Sequence, residues 1–178
     1  MLNWFKKNKK EAPIDIPQSI TEVQLGDVVD FDMKSWKVED EAAYDWGNND
    51  HTAENKLNAG DQVLYLHLEE DDEVELSISQ KIKWSALEGD IRSQVRQYGE
   101  PPKTIVMDGV TYNVSDSGSA RYRSITKGDG WEHFSYWDYE DADEELTICI
   151  EDWDGDWELS AGKYCETFEF SLFRPSDS

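Results

Sequence analysis

Apolar and polar residues alternate with a period of two along most of this chain, in short runs. QVLYLHL, EVELSISQKIKW, KTIVMDGVTYNV, ARYRSIT, HFSYWDYE, ELTICIEDW, WELSAGKY and CETFEFSLF carry β-branched and aromatic residues at alternating positions, bounded by Gly and Asp. VQLGDVVDFDMKSWKV, beginning at Val23, reads as two strands joined by a tight turn at Asp32 to Lys34. Nearly the whole chain is therefore expected to be strand and turn. One segment breaks the pattern: in SALEGDIRSQVRQYG the apolar Leu87, Ile91, Val95 and Tyr98 recur at helical spacing, and Gly99, Pro101 and Pro102 supply a stop. A short helix is predicted there.

The strands on either side of that helix resemble each other. VDFDMKSWKV at 29–38 aligns without a gap on IVMDGVTYNV at 105–114, with Asp32 and Asp108 both entering the turn. YLHLEEDDEVELSIS at 65–79 parallels YWDYEDADEELTICI at 136–150 with a one-residue slip. Two matches in the same order indicate an internal duplication. The expected fold is mainly β, a pseudo-symmetric duplicated β-meander forming a sandwich or paired half-barrels, with one short connecting helix. The chain divides into a basic tip and linker (1–22), a first β lobe (23–83), a helical connector (84–103), a second β lobe packed with the first (104–173) and a tail (174–178).

Composition changes this picture in one respect. Of 178 residues, 40 are Asp or Glu and 17 are Lys or Arg, and Lys6, Lys7, Lys9 and Lys10 fall in the first ten residues, where no acid occurs. The remaining body opposes 13 cations (17 less 4) to 40 acids, which repels nucleic-acid phosphates and leaves cations or basic protein surfaces as partners. Eight Trp and eight Tyr give a lean hydrophobic complement large buried area. Cys149 and Cys165 lie in different strands without CxxC spacing and are expected to be reduced thiols of a cytoplasmic protein. No apolar run approaches the length of a spanning helix, and lysines interrupt the N-terminal apolar residues.

Carboxylates and aromatic rings mix most densely in WDYEDADEELTICIEDWDGDWELSAGKY at 137–164. Asp154-Gly155 is a two-residue hairpin signal flanked by Trp153 and Trp157, so acid at turns and rings at strand ends account for much of it. Asp152, Asp154, Asp156 and Glu158 alternate around Gly155, but the glycine position and the flanking strands do not match a calcium loop, and no metal or cofactor is expected. Carboxylates beside Trp and Tyr also suit a cationic amine, through charge pairing and cation–π contact. Trp137, Asp138, Tyr139, Glu140, Asp141 and Trp153 are the candidate ligand- or partner-binding residues; the alternative is a solvated acidic face over an aromatic core. His51, His67 and His133 are scattered and form no HExxH or related pattern, no nucleophile motif is present, and no catalytic residues are assigned. The basic tip places Leu2, Trp4 and Phe5 beside Lys6, Lys7, Lys9 and Lys10, a composition suited to weak membrane-surface or partner contact.

GDVVDFDMKSWKV, PPKTIVMDGVTYNVSDSGSARYR, YWDYEDADEELTICIEDWDGDWELSAGKY and CETFEFSLF together resemble a bacterial family of uncharacterised domains, number 4178 among the domains of unknown function, over about residues 24–173. PPKTIVMDGVTY followed by WDYED carries the most specific part of the likeness. The resemblance supplies no catalytic residues. It implies neighbours of phage-shock-protein-A-like and flotillin-like membrane proteins and of polyamine-synthesis enzymes, and hence an accessory role in an envelope- or stress-linked system. Two expectations follow. The first is a noncatalytic cytoplasmic interaction module, peripheral at the inner membrane, whose acidic aromatic β surface contacts a basic partner. The second is a small-molecule binding protein for polyamines or similar amines.

Overall fold

The computed structural model describes residues 18–128 and 130–175. Ten strands form two runs of five: β1 (Val28–Phe31), β2 (Lys34–Gly47), β3 (Asp50–Asn58), β4 (Val63–Glu70) and β5 (Val74–Ile82), then β6 (Thr104–Met107), β7 (Val110–Ser124), β8 (Glu132–Glu140), β9 (Leu146–Trp153) and β10 (Asp156–Cys165). A short last strand, β11 (Ser171–Phe173), follows. The predicted helix is present as α1 (Ile91–Tyr98), begun by the Asp90 carboxylate accepting from the Ser93 N–H and ended at Gly99 with φ of 77°. No helix among the described residues is long and apolar enough to cross a membrane.

Each run is an antiparallel meander, and two seams join them. β5 pairs with β10 and β2 with β7, so β2-β3-β4-β5-β10-β9-β8-β7 closes into a ring while β1 with β11, and β6, lie outside it. Of the two expected arrangements, this is the paired half-barrel. The duplication is visible in detail: Trp36, Val38 and Asp40 recur at the same spacing as Tyr112, Val114 and Asp116, and both strands carry a bulge at that point, between Val38 and Asp40 and between Val114 and Asp116.

The bulges decide what the ring contains, because one extra residue swaps the faces of the rest of a strand. Before its bulge, β2 sends Trp36 and Val38 outward into a core with Leu57, Leu66, Ile78 and Leu172. Beyond it, Ala42 and Tyr44 turn inward. β7 does the same, with Tyr112 outside and Ala120 inside. Each lobe thus has its main apolar core on its outer face. The first is covered by the turns at Ile20–Glu22 and Thr167–Glu169 and by β11, and the second by α1 with Leu87, Ile91 and Val95. The ring interior is left to aromatic and polar side chains.

Two boundaries and one alignment differ from expectation. Gln18 bridges to Leu172 and Ile20 is 3% exposed in the first core, so residues 18–22, expected to be linker, belong to the first lobe. β11, assigned by sequence order to the second lobe, pairs with β1 at the edge of the first. The 65–79 and 136–150 match joins β4–β5 to β8–β9, one strand out of step, since β9–β10 holds the place of β4–β5. The tip residues Trp4, Phe5, Lys6, Lys7, Lys9 and Lys10 lie outside the described residues.

Candidate functional site

A cavity of about 340 Å³ lies inside the ring, within the usual range of ligand pockets. Tyr44 is its aromatic centre. Its ring stacks on Trp46 at 5.2 Å and meets His67 and Phe134 edge-on at 5.6 and 5.8 Å, so strands that are not neighbours in the sheet converge here. Trp153 stacks on Phe134 at 4.5 Å and donates from Nε1 to Glu151 at 3.1 Å. Tyr136 and Tyr164 donate to Asp116 at 2.9 Å and to Glu140 at 2.7 Å.

Carboxylates dominate the lining, which among the described residues contains no Lys or Arg. Asp50, Glu75 and Asp116 are exposed at the mouth, and Glu69 and Glu140 are half-buried beside them. Glu54, Asp138 and Glu151 lie deeper. Their few donors are one tyrosine, one indole and one thiol: Tyr44 Oη donates to Glu54 at 3.2 Å, Trp153 serves Glu151, and the Cys149 Sγ is 3.9 Å from Glu151 and also beside Asp138. A thiol has a single weak proton to give.

Enclosure appears in the protonation equilibria. Burial, reinforced by the neighbouring Glu151 charge, pushes the Glu54 carboxyl up to about 7. Burial likewise pushes Asp138 up to about 6 and raises Glu151. Burial lowers His67 to about 4, so at neutral pH its imidazole is uncharged and offsets none of the acid. Among the described residues, the ammonium close to the deep acids is that of Lys81, 3.9 Å from Glu151 and ion-paired with Glu158.

A stability signature follows from Glu54. A folded-state value of about 7 against an ordinary 4.5 means the folded chain holds this proton more tightly than the unfolded chain. The stability it contributes is complete below pH 4.5 and is lost as pH rises through 7. Glu54→Gln keeps an oxygen for Tyr44 and removes that loss. It is expected to out-melt the wild type by about 2 kcal/mol at alkaline pH, with the gap closing below pH about 4.5. Thermal melts at the two extremes check this.

The six sequence-predicted residues do not act together. A strand alternates its side chains, so consecutive positions of β8 cannot all face one ligand. Asp138 and Glu140 face the cavity, whereas Trp137 packs outside against Trp157 at 5.5 Å. Tyr139 is fully buried in the second outer core and donates to the Pro102 carbonyl at 2.8 Å. Asp141 accepts the Glu145 and Leu146 N–H groups in the following turn, both at 2.9 Å. Trp153 lies inside the ring. Asp152 accepts from the Gly155 N–H at 2.7 Å and so shapes its own hairpin. The sequence reading passes over Glu54, Lys81 and Glu151. The available signal is polar residues at every second position of strands whose other face is apolar, a pattern that a solvated sheet face shares.

Fold and site define a class: an all-antiparallel β ring, built from two similar meanders and enclosing an acid-lined, aromatic-walled cavity. Residues 24–167 match the model of the family described as Domain of unknown function (DUF4178), and the chain belongs to that family. An uncharacterized protein of Aquifex aeolicus (strain VF5) is 26% identical over 169 residues, covering 95% of this chain and 91% of the relative. No solved structure matches.

Proposed function

We propose that this protein is a noncatalytic binding protein for a small organic cation bearing ammonium groups, held inside the β ring. The observation that carries this reading is the trio Glu54, Asp138 and Glu151 facing one aromatic-walled cavity, where their hydrogen-bond donors among the described residues are a tyrosine, an indole and a thiol. Half-buried carboxylates gathered in one cavity favour neutralisation by protons or by a cation, and an ammonium supplies both charge and donors. The walls suit its methylenes and charge: Tyr44, Trp46 and Tyr136 present ring faces and edges around the same space. Between the two expectations, this arrangement favours the amine over a basic protein surface. A flat partner reaches the acids of the mouth but not those of the interior.

The same residues give little for catalysis. Burial, with the adjacent Asp138 charge next, raises the Cys149 thiol well above its ordinary value, so the one sulfur in the lining stays protonated and a poor nucleophile. The un-ionised His67 makes ring contacts with Tyr44 and Trp46.

Spermidine, with three ammonium groups, is a suitable probe. Free ligand at about 100 times Kd stabilises a fold by about 2.7 kcal/mol, equivalent to a rise of about 5 °C or more in Tm for a chain of this size. We expect such a rise relative to KCl of equal ionic strength, and its loss in a Glu54→Gln, Asp138→Asn double variant. Equal melting in spermidine and KCl overturns the reading.

A further inference from the structure

The ring cavity has an internal cation at one end. Lys81, on β5, extends its ammonium to 3.9 Å from Glu151 and into an ion pair with Glu158, and the ammonium lies 5.4 Å from the centre of the Tyr65 ring. Carboxylate pair and aromatic face are the same elements that the cavity offers a ligand. Beyond Lys81 lies a second hollow of about 890 Å³ on the outside of the molecule, where Lys81, Tyr65 and Glu158 meet Trp84, Trp157 and Ile91 near the start of α1. Glu151 lines the inner cavity, Glu158 lines the outer hollow, and Lys81 pairs with both. The side chain therefore stands between two spaces.

We propose that Lys81 sets the ligand specificity of the cavity by occupying, as a tethered ammonium, the subsite that a further ligand ammonium would otherwise fill. This rests on the amine-binding reading above and deepens it. The physical argument is exclusion by like charge. With Lys81 in place, a second ammonium driven toward Glu151 meets a fixed positive charge that already holds the carboxylate, and specificity arises from the repulsive element as much as from the attractive one. Short amines, which reach Asp138 and Glu54 from the mouth, are unaffected. Long polyamines lose Glu151 as a partner for their innermost ammonium. With Lys81 neutral, Glu151 and Glu158 become available in line, and the inner cavity is continuous in charge with the outer hollow.

The groups that face the Lys81 ammonium come from several strands: Glu54 on β3, Tyr65 on β4, Glu151 on β9 and Glu158 on β10. All but the tyrosine are acids, so removing one positive charge leaves a site of undiminished demand for a cation. Lys83 and Arg92 also border the outer hollow, but neither is ion-paired with Glu151 among the described residues.

Calorimetric titration of putrescine, with two ammonium groups, and spermine, with four, into wild type, Lys81→Met, Lys81→Arg and Lys83→Met tests the assignment at physiological salt. Lys81→Met keeps the methylenes against Tyr65 and removes the charge. We expect spermine affinity to rise about tenfold relative to putrescine in Lys81→Met, with Lys81→Arg and Lys83→Met matching wild type, because screening limits a merely general charge effect. Lys81→Gln replaces Lys81→Met if the latter fails to fold. An equal rise in Lys83→Met, or no change in the spermine-to-putrescine ratio, overturns the assignment. Binding of spermine by Lys81→Met alone supports Lys81 as the occupant of the subsite and removes the amine-binding reading for the wild type. No binding by any variant overturns both.

Discussion

Gly162→Ala should cost about 3 kcal/mol or more of folding stability and open the ring, a large effect for one methyl group. Gly162 lies on β10 opposite Ser79 of β5, at one of the two seams that join the lobes. A Cβ at this position falls deep inside van der Waals contact of the Ile78 carbonyl oxygen and 2.9 Å from the Ser79 Cβ. The obstruction is backbone, so no rotamer change relieves it. Either β5 and β10 separate locally, with loss of ladder hydrogen bonds, or the strand shifts register and reverses every side chain beyond it. Both outcomes dismantle the cavity, because Ser79 and Ser160 on these strands are part of its wall. Gly118→Ala is the matched control: there the obstacle is the Tyr136 hydroxyl at 3.2 Å, a side-chain end that can yield, and about 1 kcal/mol is expected. Urea melts of the two variants separate them. Equal melting of Gly162→Ala and wild type contradicts so close an approach of the strands.

Arg174→Ala should be comparably damaging, by about 3 kcal/mol, through charge rather than shape. Asp27 is 1% exposed and accepts two bonds from Arg174, from Nε and Nη2, both at 2.9 Å; its other donor is the Gln24 N–H at 3.0 Å. Arg174 also donates to the Glu22 carbonyl at 2.9 Å, tying the segment after β11 to the turn at Ile20–Glu22. Both cover the first outer core. Removing the guanidinium strands a buried carboxylate, which costs more than the pair itself contributes. The signature is therefore non-additive: Asp27→Asn combined with Arg174→Ala should be more stable than Arg174→Ala alone by about 1 kcal/mol. A double variant that melts lower than the single one assigns the loss to packing instead.

The sequence is most informative where each face of a strand has one fate. The match of 29–38 with 105–114 survives in the structure because Trp36 and Val38, like Tyr112 and Val114, fill outer cores ahead of a bulge. The helix is legible because Ile91 and Val95 are buried on one stripe. β3 is the instructive omission. DHTAENKLN offers few apolar residues because Thr52 and Glu54 alternate toward a polar interior, where ordinary sheets present polar residues to water. A polar face reads the same whether it meets solvent or a cavity, so the enclosure of Glu54 follows only from ring closure. The bulges are equally silent. β7 reads as separate runs, TYNV and ARYRSIT, although it is one strand of 15 residues whose faces exchange between Val114 and Asp116. On β8, by contrast, plain alternation places Asp138 and Glu140 on the inner face and Trp137 on the outer one.

The seam between β2 and β7 carries a record of how the two halves relate. Asp45 pairs with Arg121 across it, and the two form an ion pair. By the alignment that equates Asp40 with Asp116, Asp45 and Arg121 are the same position in the two meanders. In a homodimer of half-chains that position would meet itself, and its charges would be equal and repelling. Joined in one polypeptide, the copies are free to take opposite signs there, and free to place Glu54 and Lys81 in one half and Asp138 and Glu151 in the other. The ring cavity is in this sense a heterodimer interface within a single chain.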